Sequence, residues 1–443
     1  MLHTYKEALA WIHSRLRLGV KPGLERMRWM LARLENPEQN LHAIHVGGTN
    51  GKGSTVTYLR SILNEAGYQV GTFTSPYIEQ FNERISVNGK PVDNEDIVVL
   101  ANVVKPLAEE LEQTELGSPS EFEVITVMAF YYFAYIRPVD FAVFEVGLGG
   151  RYDSTNVIQP IASLITNVGM DHMQILGHSI EEIAYQKAGI IKPGTPIFTT
   201  AQNKQALAVL KMEAVGQKAP FYQLGKDFFI KDYQPVEKGE QFTYQSPSMV
   251  LKKLKLSLLG RHQTENAAAA LAVLTYLQDS EQMSIQTAAI RSGIQKAFWP
   301  GRLECLSEHP TIFIDGAHNV EGLQAFKSAV ETHFPGKKIK IVFSALKDKD
   351  LRDMFAIINS MNAELYLTEF DFPRATAAEE LKKQSGNAAA QCNEDWKNLI
   401  RELVLTAKAE DIVAITGSLY FISEIKPFLI EVIQSRPQDT AQD

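Results

Sequence analysis

The segment 45–54 constrains the fold more than any other part of this chain. It reads His-Val-Gly-Gly-Thr-Asn-Gly-Lys-Gly-Ser and lies between a short apolar run, 43–46, and a helical pattern over 54–66. Glycines let consecutive backbone N–H groups turn inward around phosphate oxygens, and the N-terminus of the next helix adds partial positive charge. The segment therefore predicts a P-loop between a strand and a helix, at which a nucleoside triphosphate binds.

This loop departs from the common G-x-x-x-x-G-K-[ST] form at two positions. Val46 stands where that form has glycine, and Gly53 separates Lys52 from Ser54. The lysine is still expected to reach the outer phosphates. The residues of the loop predicted to bind nucleotide are Thr49, Asn50, Gly51, Lys52, Gly53 and Ser54.

The rest of the chain alternates between strand and helix patterns. The apolar runs 141–146 and 161–165 are typical of buried parallel strands. Residues 220–258 predict a small antiparallel excursion, and the segment 298–301 interrupts the alternation before a second series begins. We therefore expect an α/β protein with two domains. A P-loop domain with a mainly parallel sheet would occupy residues 1–296, and a Rossmann-like α/β domain residues 297–443.

Composition narrows the kinds of partner. The net charge of −8 argues against nucleic acid or an anionic membrane as the main partner. No stretch approaches the ~20 apolar residues that span a bilayer, and the N-terminus does not read as a secretory signal. Cys305 and Cys392, far apart in sequence, predict two buried structural thiols and neither a disulfide framework nor a zinc site. A cytoplasmic monomer is expected.

Several ordered motifs carry a resemblance to a known family. The loop sequence Gly-Thr-Asn-Gly-Lys-Gly-Ser, at 48–54, is similar to the P-loop of folylpolyglutamate synthases and dihydrofolate synthases, which belong to the Mur ligase superfamily. An N-terminal segment, 18–27, resembles the part of that family that borders the pterin pocket. Other segments that match in the same order are 74–77, 81–85, 145–156, 171–172, 187–192, 262–267, 301–304 and 315–319.

Two Mg²⁺ sites are implied by the resemblance. Ser75 and Glu145 would hold one ion and His172 the second, with Lys187 carbamylated by CO₂ to give anionic support. From the residues alone, Glu145 at the end of an apolar strand beside a P-loop suits Mg²⁺, which prefers oxygen ligands. Ser54 is a rival ligand by P-loop logic. Without the resemblance, Lys187 would be read as a solvated helix lysine.

Further contacts follow from matching positions. Amides at the start of an Ala-rich helix, together with an arginine and a strand-end carboxylate in the second domain, are expected to bind ATP. These residues are Gln263, Asn266, Arg302 and Asp315. The positions that would line the folate pocket are Arg26, Phe122, Arg151 and Asp153, each of which could equally serve packing.

The function implied is that of an ATP-dependent ligase that joins L-glutamate to a folate carboxylate through an acyl phosphate. Whether dihydropteroate is a second substrate stays open. One alternative is a Mur-type ligase for a cell-wall precursor, against which the Gly-Lys-Gly-Ser sequence argues. Another is a P-loop ATP sensor, which would not need Lys187 or His172. An NAD-dependent oxidoreductase is disfavoured because the loop carries a lysine and lacks G-x-G-x-x-G.

Overall fold

The structure is a computed structural model that describes residues 1–16, 19 and 22–436. The described residues form two compact units. The first comprises the described residues of Met1–Gln234 together with Gln241–Ser257 and Gln263–Ala297. The second comprises Pro235–Glu240, Leu258–His262 and the described residues of Phe298–Asp443. Of the segment 18–27 that resembles the family's pterin border, positions 18, 20 and 21 lie outside the described residues.

An eight-stranded sheet forms the centre of the first unit, in the order β4-β3-β2-β5-β1-β6-β7-β8. β3 runs antiparallel to β2 and β4, and the other neighbours are parallel. This confirms the mainly parallel sheet predicted from the apolar runs. The strands are β1 (Ala43–Gly47), β2 (Val70–Phe73), β3 (Ile85–Val87), β4 (Lys90–Pro91), β5 (Phe141–Glu145), β6 (Ala162–Ile165), β7 (Ile197–Thr199) and β8 (Phe221–Gln223).

Helices cover this sheet because their apolar side chains need a partner surface. One buried cluster joins side chains of the N-terminal helices to β2 and β5, and another packs the helix that ends at Ala188. The helices are α1 (Tyr5–His13), α2 (Glu25–Ala32), α3 (Lys52–Glu65), α4 (Asn94–Glu112), α5 (Glu121–Tyr131), α6 (Met173–Leu176), α7 (Ile180–Ala188), α8 (Lys204–Gly216), α9 (Arg261–Asp279) and α10 (Thr287–Lys296).

The region 220–258 differs in part from the prediction. Its first strand, β8, pairs in parallel with β7 and so belongs to the main sheet. The rest forms a three-stranded sheet in the order β11-β10-β9, whose short connections make neighbouring strands antiparallel. Its strands are β9 (Phe229–Val236), β10 (Gly239–Gln245) and β11 (Val250–Leu256).

The second unit has a six-stranded sheet in the order β12-β13-β17-β14-β15-β16. β12 is antiparallel to β13, and the remaining neighbours are parallel. Its strands are β12 (Glu304–Glu308), β13 (Thr311–Ile314), β14 (Ile339–Phe343), β15 (Ala363–Leu367), β16 (Gln391–Cys392) and β17 (Ile412–Thr416). Its helices are α11 (Val320–His333), α12 (Leu351–Asn359), α13 (Ala378–Ser385), α14 (Trp396–Thr406) and α15 (Leu419–Gln434).

The prediction of two buried cysteines is wrong. Cys305 is exposed and Cys392 is half-buried. Both lie on the outermost strands of the second sheet, β12 and β16, where one side of the strand has no neighbour to cover it. None of the helices in the described part of the chain combines the length and the apolarity needed to span a bilayer.

Candidate active site

Four adjacent parallel strands, β2, β5, β1 and β6, end at the same edge of the main sheet. Ser75 follows β2, Glu145 ends β5, the P-loop follows β1, and the segment 166–172 follows β6. Open α/β sheets bind ligands at the carboxyl ends of their strands. The fold therefore brings the predicted metal-binding and phosphate-binding residues of the first unit to one edge.

The P-loop is held by the segment that follows β6. Thr49 donates its N–H to the carbonyl of Asn167 at 3.0 Å, and Asn50 donates its N–H to the Asn167 side-chain oxygen at 2.7 Å. The Thr49 hydroxyl also accepts the N–H of Gly169 at 3.0 Å. Asn167 is thus an anchoring residue that motif comparison did not single out. The sequence gives one indication of this role, which is the position of Asn167 directly after an apolar strand.

Two glycines of the P-loop are required by close neighbours. Gly48 has φ of +142°, and a Cβ there would lie 1.9 Å from the Thr166 hydroxyl. Gly51 has φ of +83°, and a Cβ there would lie 2.3 Å from the side-chain oxygen of Asn266. The second contact places Asn266, predicted to bind ATP, directly against the loop. Gln263 is buried and accepts a hydrogen bond from the Asn266 amide at 3.0 Å, so it orients that amide.

Lys52 is the first residue of α3, and its ammonium lies back over the loop. Its Nζ donates to the carbonyl oxygens of Gly48 and Thr49, both at 3.1 Å. The Ser54 hydroxyl is buried and has no hydrogen-bond partner within the described part of the chain. A buried, unpaired hydroxyl one turn into a P-loop helix suits a phosphate oxygen or the metal that accompanies it.

Glu145 and Ser75 are neighbours at the sheet edge. The Ser75 N–H donates to Glu145 Oε2 at 3.4 Å, and Glu145 is buried. Across the described residues, no group of three or more His, Cys, Asp or Glu side chains could enclose a metal ion. A carboxylate and a hydroxyl alone fit Mg²⁺, which commonly takes its remaining ligands from phosphates and water.

Lys187 is buried on α7, so its interpretation as a solvated helix lysine is wrong. Burial lowers its pKa most, the nearby charge of Lys52 adds to the shift and Asp171 opposes it, so that the pKa is about 7. The helix that carries it has a fixed start, because Ser179 and Glu182 form the predicted capping box. An amine that is partly neutral near physiological pH can react with CO₂, whereas a solvated lysine is almost wholly protonated.

His172 stands at the N-terminus of the short helix α6. Its backbone is left-handed, with φ of +51°, and its ring is 41% exposed. Nε2 lies 4.0 Å from Asp171 Oδ2. The exposed part of the ring is accessible from solvent.

Two of the four predicted folate residues are arginines, and both are paired with carboxylates. Arg26 Nε lies 2.8 Å from Glu123 Oε1, and both side chains are largely buried. Arg151 Nη2 lies 2.9 Å from Glu213 Oε2, and its guanidinium stacks 3.9 Å from the ring centre of Tyr185. These carboxylates, on α5 and α8, were not foreseen from the motifs.

The other two predicted folate residues meet at the loop after β5. A Cβ at Gly147 would lie 2.5 Å from the Phe122 ring, so the ring packs directly on this loop. Asp153 is buried, which raises its pKa, and its carboxylate accepts the N–H of Leu148 at 2.8 Å and the hydroxyl of Thr155 at 2.5 Å. Thr155 in turn bonds His45 Nε2 at 2.8 Å. Asp153 therefore holds the loop in shape.

In the second unit, Arg302 and Asp315 lie together where β13 ends. Asp315 accepts the N–H groups of Leu303 and Ala317, both at 2.9 Å. Burial raises the pKa of Asp315, and the neighbouring Arg302 guanidinium opposes that rise. A Cβ at Gly316 would lie 2.3 Å from Arg302 Nη1, which shows how closely the guanidinium approaches this turn.

Two segments of this chain match known domain families. Residues 46–274 match the Mur ligase middle domain, and residues 301–419 match the Mur ligase glutamate ligase domain. A dihydrofolate synthase/folylpolyglutamate synthase of Bacillus subtilis is 47% identical over 96% of this chain and 99% of its own length.

Solved structures match this chain as well. A folylpolyglutamate synthase (FPGS) of Mycobacterium tuberculosis complexed with ADP and AMPPCP has a TM-score of 0.87 and 30% identity, covering 96% of this chain and 99% of that chain. An FPGS–AMPPCP–folate complex has a TM-score of 0.83 and 32% identity, covering 96% of this chain and 100% of that chain. The resemblance read from the motifs is thereby confirmed. The chain belongs to the folylpolyglutamate synthase/dihydrofolate synthase family of the Mur ligase superfamily.

Proposed function

We propose that the chain is an ATP-dependent ligase that adds L-glutamate to a folate, with tetrahydrofolate polyglutamylation as its reaction. The observation that carries this proposal is the meeting of the P-loop, Glu145 and the buried Lys187 around one edge of the sheet. A nucleotide sensor would need the first of these features but not a buried lysine with a pKa of about 7. The relatives named dihydrofolate synthase and the complex with AMPPCP and folate support the choice of substrates.

The chemistry follows from the substrate. A carboxylate is a poor electrophile, so amide formation in water needs an activated acyl group. A carboxylate oxygen of the folate attacks the γ-phosphorus of ATP in line. The bond between the γ-phosphorus and the β–γ bridging oxygen breaks, which releases ADP and forms an acyl phosphate. The Lys52 ammonium stabilises charge on the transferring group. The glutamate amine then attacks the acyl carbon, the tetrahedral intermediate expels phosphate, and the amine loses a proton.

Two Mg²⁺ ions are part of the proposal. Ser75 and Glu145 would hold one, with Ser54 as a further candidate ligand, and His172 would hold the second with support from carbamylated Lys187. When bound, such ions neutralise phosphate charge. The hydrogen bond from the Ser75 backbone N–H to Glu145, which brings the two residues together, and the unpaired Ser54 hydroxyl support these assignments.

On the folate side, we assign Phe122, Arg26, Arg151 and Asp153 to the pocket. Phe122 offers a ring face beside the Gly147 loop, against which a flat heterocycle can stack. Arg26 and Arg151 keep their guanidinium groups oriented through Glu123 and Glu213. In this proposal Asp153 shapes the loop as well as lining the pocket.

Arg302→Ala is expected to lower kcat/KM for ATP by a factor on the order of 10², because a guanidinium can stabilise the transferring phosphoryl group. Asp315 is proposed to bind the nucleotide beside it. Initial rates at varied ATP check this expectation. Arg352→Ala, which changes another arginine of the second unit at an exposed helix position, serves as the control. Unchanged ATP kinetics in Arg302→Ala would remove this residue from the nucleotide site.

The function is tested by phosphate release from ATP with tetrahydrofolate and glutamate, and then with each one omitted. We expect release to require both, and mass spectrometry to show a product extended by glutamate. Phosphate release that does not depend on folate and glutamate would favour a nucleotide sensor. Turnover only with a cell-wall precursor would favour a Mur-type ligase for such precursors. Dihydropteroate tested separately decides whether the enzyme is bifunctional.

Two expectations from the sequence accompany the proposal: the protein acts as a monomer and in the cytoplasm. Two free thiols, one exposed, suit a reducing compartment. Light scattering on the purified protein measures its mass, and fractionation of cells measures its location. A dimer, or recovery outside the cytoplasm, would contradict them.

A further inference from the structure

A buried ion pair lies inside the second unit and includes neither Arg302 nor Asp315, the groups of that unit that the proposed reaction uses directly. Lys426 Nζ on α15 is 2.8 Å from Glu304 Oε1 at the start of β12, and the two side chains are only 5% and 8% exposed. Taking both charges out of water is costly, and a buried pair is often no more stable than an apolar one. Stability alone is therefore a weak reason for its presence.

The second oxygen of the same carboxylate reaches the turn that carries Arg302. Glu304 Oε2 accepts the N–H of Gly301 at 2.9 Å. The Gly301 carbonyl accepts the N–H of Gly316 at 2.8 Å and Nη1 of Arg302 at 3.1 Å. The peptide groups on both sides of Gly301 are thus fixed, one by Glu304 and the other by Gly316 and the arginine itself.

The backbone of this turn is left-handed at two positions, of which only the second carries a Cβ. The φ of Gly301 is +67°, a left-handed conformation, and the next-but-one residue, Leu303, is left-handed as well with φ of +46°. For a residue other than glycine, that conformation is unfavourable and persists only where the surroundings enforce it. Glu304 on one side and Asp315, which accepts the Leu303 N–H at 2.9 Å, on the other provide that constraint.

We infer that Glu304 is a positioning residue for Arg302, and that Lys426 holds Glu304 in the orientation this requires. The inference rests on the proposed role of Arg302 in phosphoryl transfer. Lys426 occupies one carboxylate oxygen, which leaves the other aimed at the Gly301 N–H. A displacement of about 1 Å in a group that must meet a reacting phosphate can lower the rate by roughly 10²-fold.

A purely structural role makes a different prediction, and two double variants separate the roles. Glu304→Leu/Lys426→Met removes both charges and also the acceptor for Gly301. Glu304→Gln/Lys426→Met removes both charges but keeps a carbonyl oxygen at the same place. We expect the leucine variant to lose about 10-fold in kcat/KM for ATP with an unchanged KM for folate, and the glutamine variant to recover most of that loss.

A matched control is available in the same unit. Lys340 Nζ and Asp411 Oδ2 are 2.8 Å apart, and Asp411 also accepts a backbone N–H, that of Lys408, at 3.0 Å. Asp411→Leu/Lys340→Met therefore removes a pair of equal length, though less buried with 24% and 25% of its side chains exposed, that does not touch the Arg302 turn. We expect wild-type ATP kinetics from it.

Repeating the pair of variants in an Arg302→Ala background completes the test. If Glu304 acts through Arg302, the difference between the leucine and glutamine variants should vanish there. Equal kcat/KM for ATP in the two double variants, or a difference that persists without Arg302, would overturn the inference. If the leucine variant does not fold, the glutamine variant alone decides, since a loss as large as that of Arg302→Ala would also overturn it. A wild-type protein without ligase activity would instead refute the proposed function.

Discussion

Lys52→Ala is expected to reduce glutamate ligation by roughly 10³-fold or more, because it removes the cation that faces the transferring phosphoryl group. The ammonium lies 3.1 Å from two carbonyl oxygens of its own loop, so it is already in place before nucleotide binds. We expect both kcat and kcat/KM to fall, since the charge of Lys52 stabilises the transition state of phosphoryl transfer more than the ground state. ATP-dependent incorporation of labelled glutamate measures the effect.

A thermal melt should show that Lys52→Ala remains folded, because Lys52 is only half-buried and its ammonium lies over the loop rather than in the apolar core. Lys204→Ala is the matched control: Lys204 is also the first residue of a helix, α8, and its side chain is exposed. That variant should ligate glutamate at the wild-type rate. Substantial activity in Lys52→Ala would exclude the phosphate role.

Lys187→Ala is expected to abolish most activity, and a short carboxylic acid such as acetate should restore part of it. The lysine is buried, its pKa is about 7, and the first cause of that shift is burial. About half of such amines are neutral at pH 7, and the neutral fraction rises with pH. Carbamylation and activity should therefore increase with bicarbonate, and both should fall as the pH drops below 7.

Chemical rescue distinguishes the two charges that this side chain could supply. An added acid replaces a lost carbamate, whereas an added amine replaces a lost ammonium. Lys192→Ala, which changes the other lysine of the 187–192 motif, should gain nothing from acids. Lys192 Nζ donates to the Asn156 carbonyl at 2.9 Å, and because its pKa, lowered most by burial, is about 8, most of it is a cation at pH 7. A ¹³C NMR signal from protein loaded with ¹³C-bicarbonate gives a readout independent of activity. Rescue by amines alone, or no such signal in wild type, would refute carbamylation.

The sequence predicted the elements that depend on local patterns. The strands at 43–47 and 141–145 followed from continuous apolar runs, and the start of α7 followed from the Ser179–Glu182 capping box. β8 was misassigned because a three-residue strand carries almost no periodicity, and its pairing with β7 depends on contacts distant in sequence.

The same distinction between local patterns and distant contacts applies to the residues of the candidate site. Motif order predicted Lys52, Glu145 and Asn266 as site residues, since each stands at a recognisable junction between elements. The burial of Lys187 could not be predicted, because a lysine on a short helix faces water unless the tertiary fold covers it. The carboxylates that pair with Arg26 and Arg151 were equally invisible, as Glu123 and Glu213 lie on helices separated from them by many residues.

The anchoring of the P-loop by Asn167 affects the thermodynamics of nucleotide binding. Fixing a flexible backbone residue costs about 1–2 kcal/mol of conformational entropy. Here the backbone N–H groups of Thr49 and Asn50 are already tied to Asn167, and the Lys52 ammonium to two loop carbonyls. That entropy is lost when the protein folds, so ATP binds to a loop that is already ordered. The free energy of ATP binding is therefore not reduced by the cost of ordering the loop.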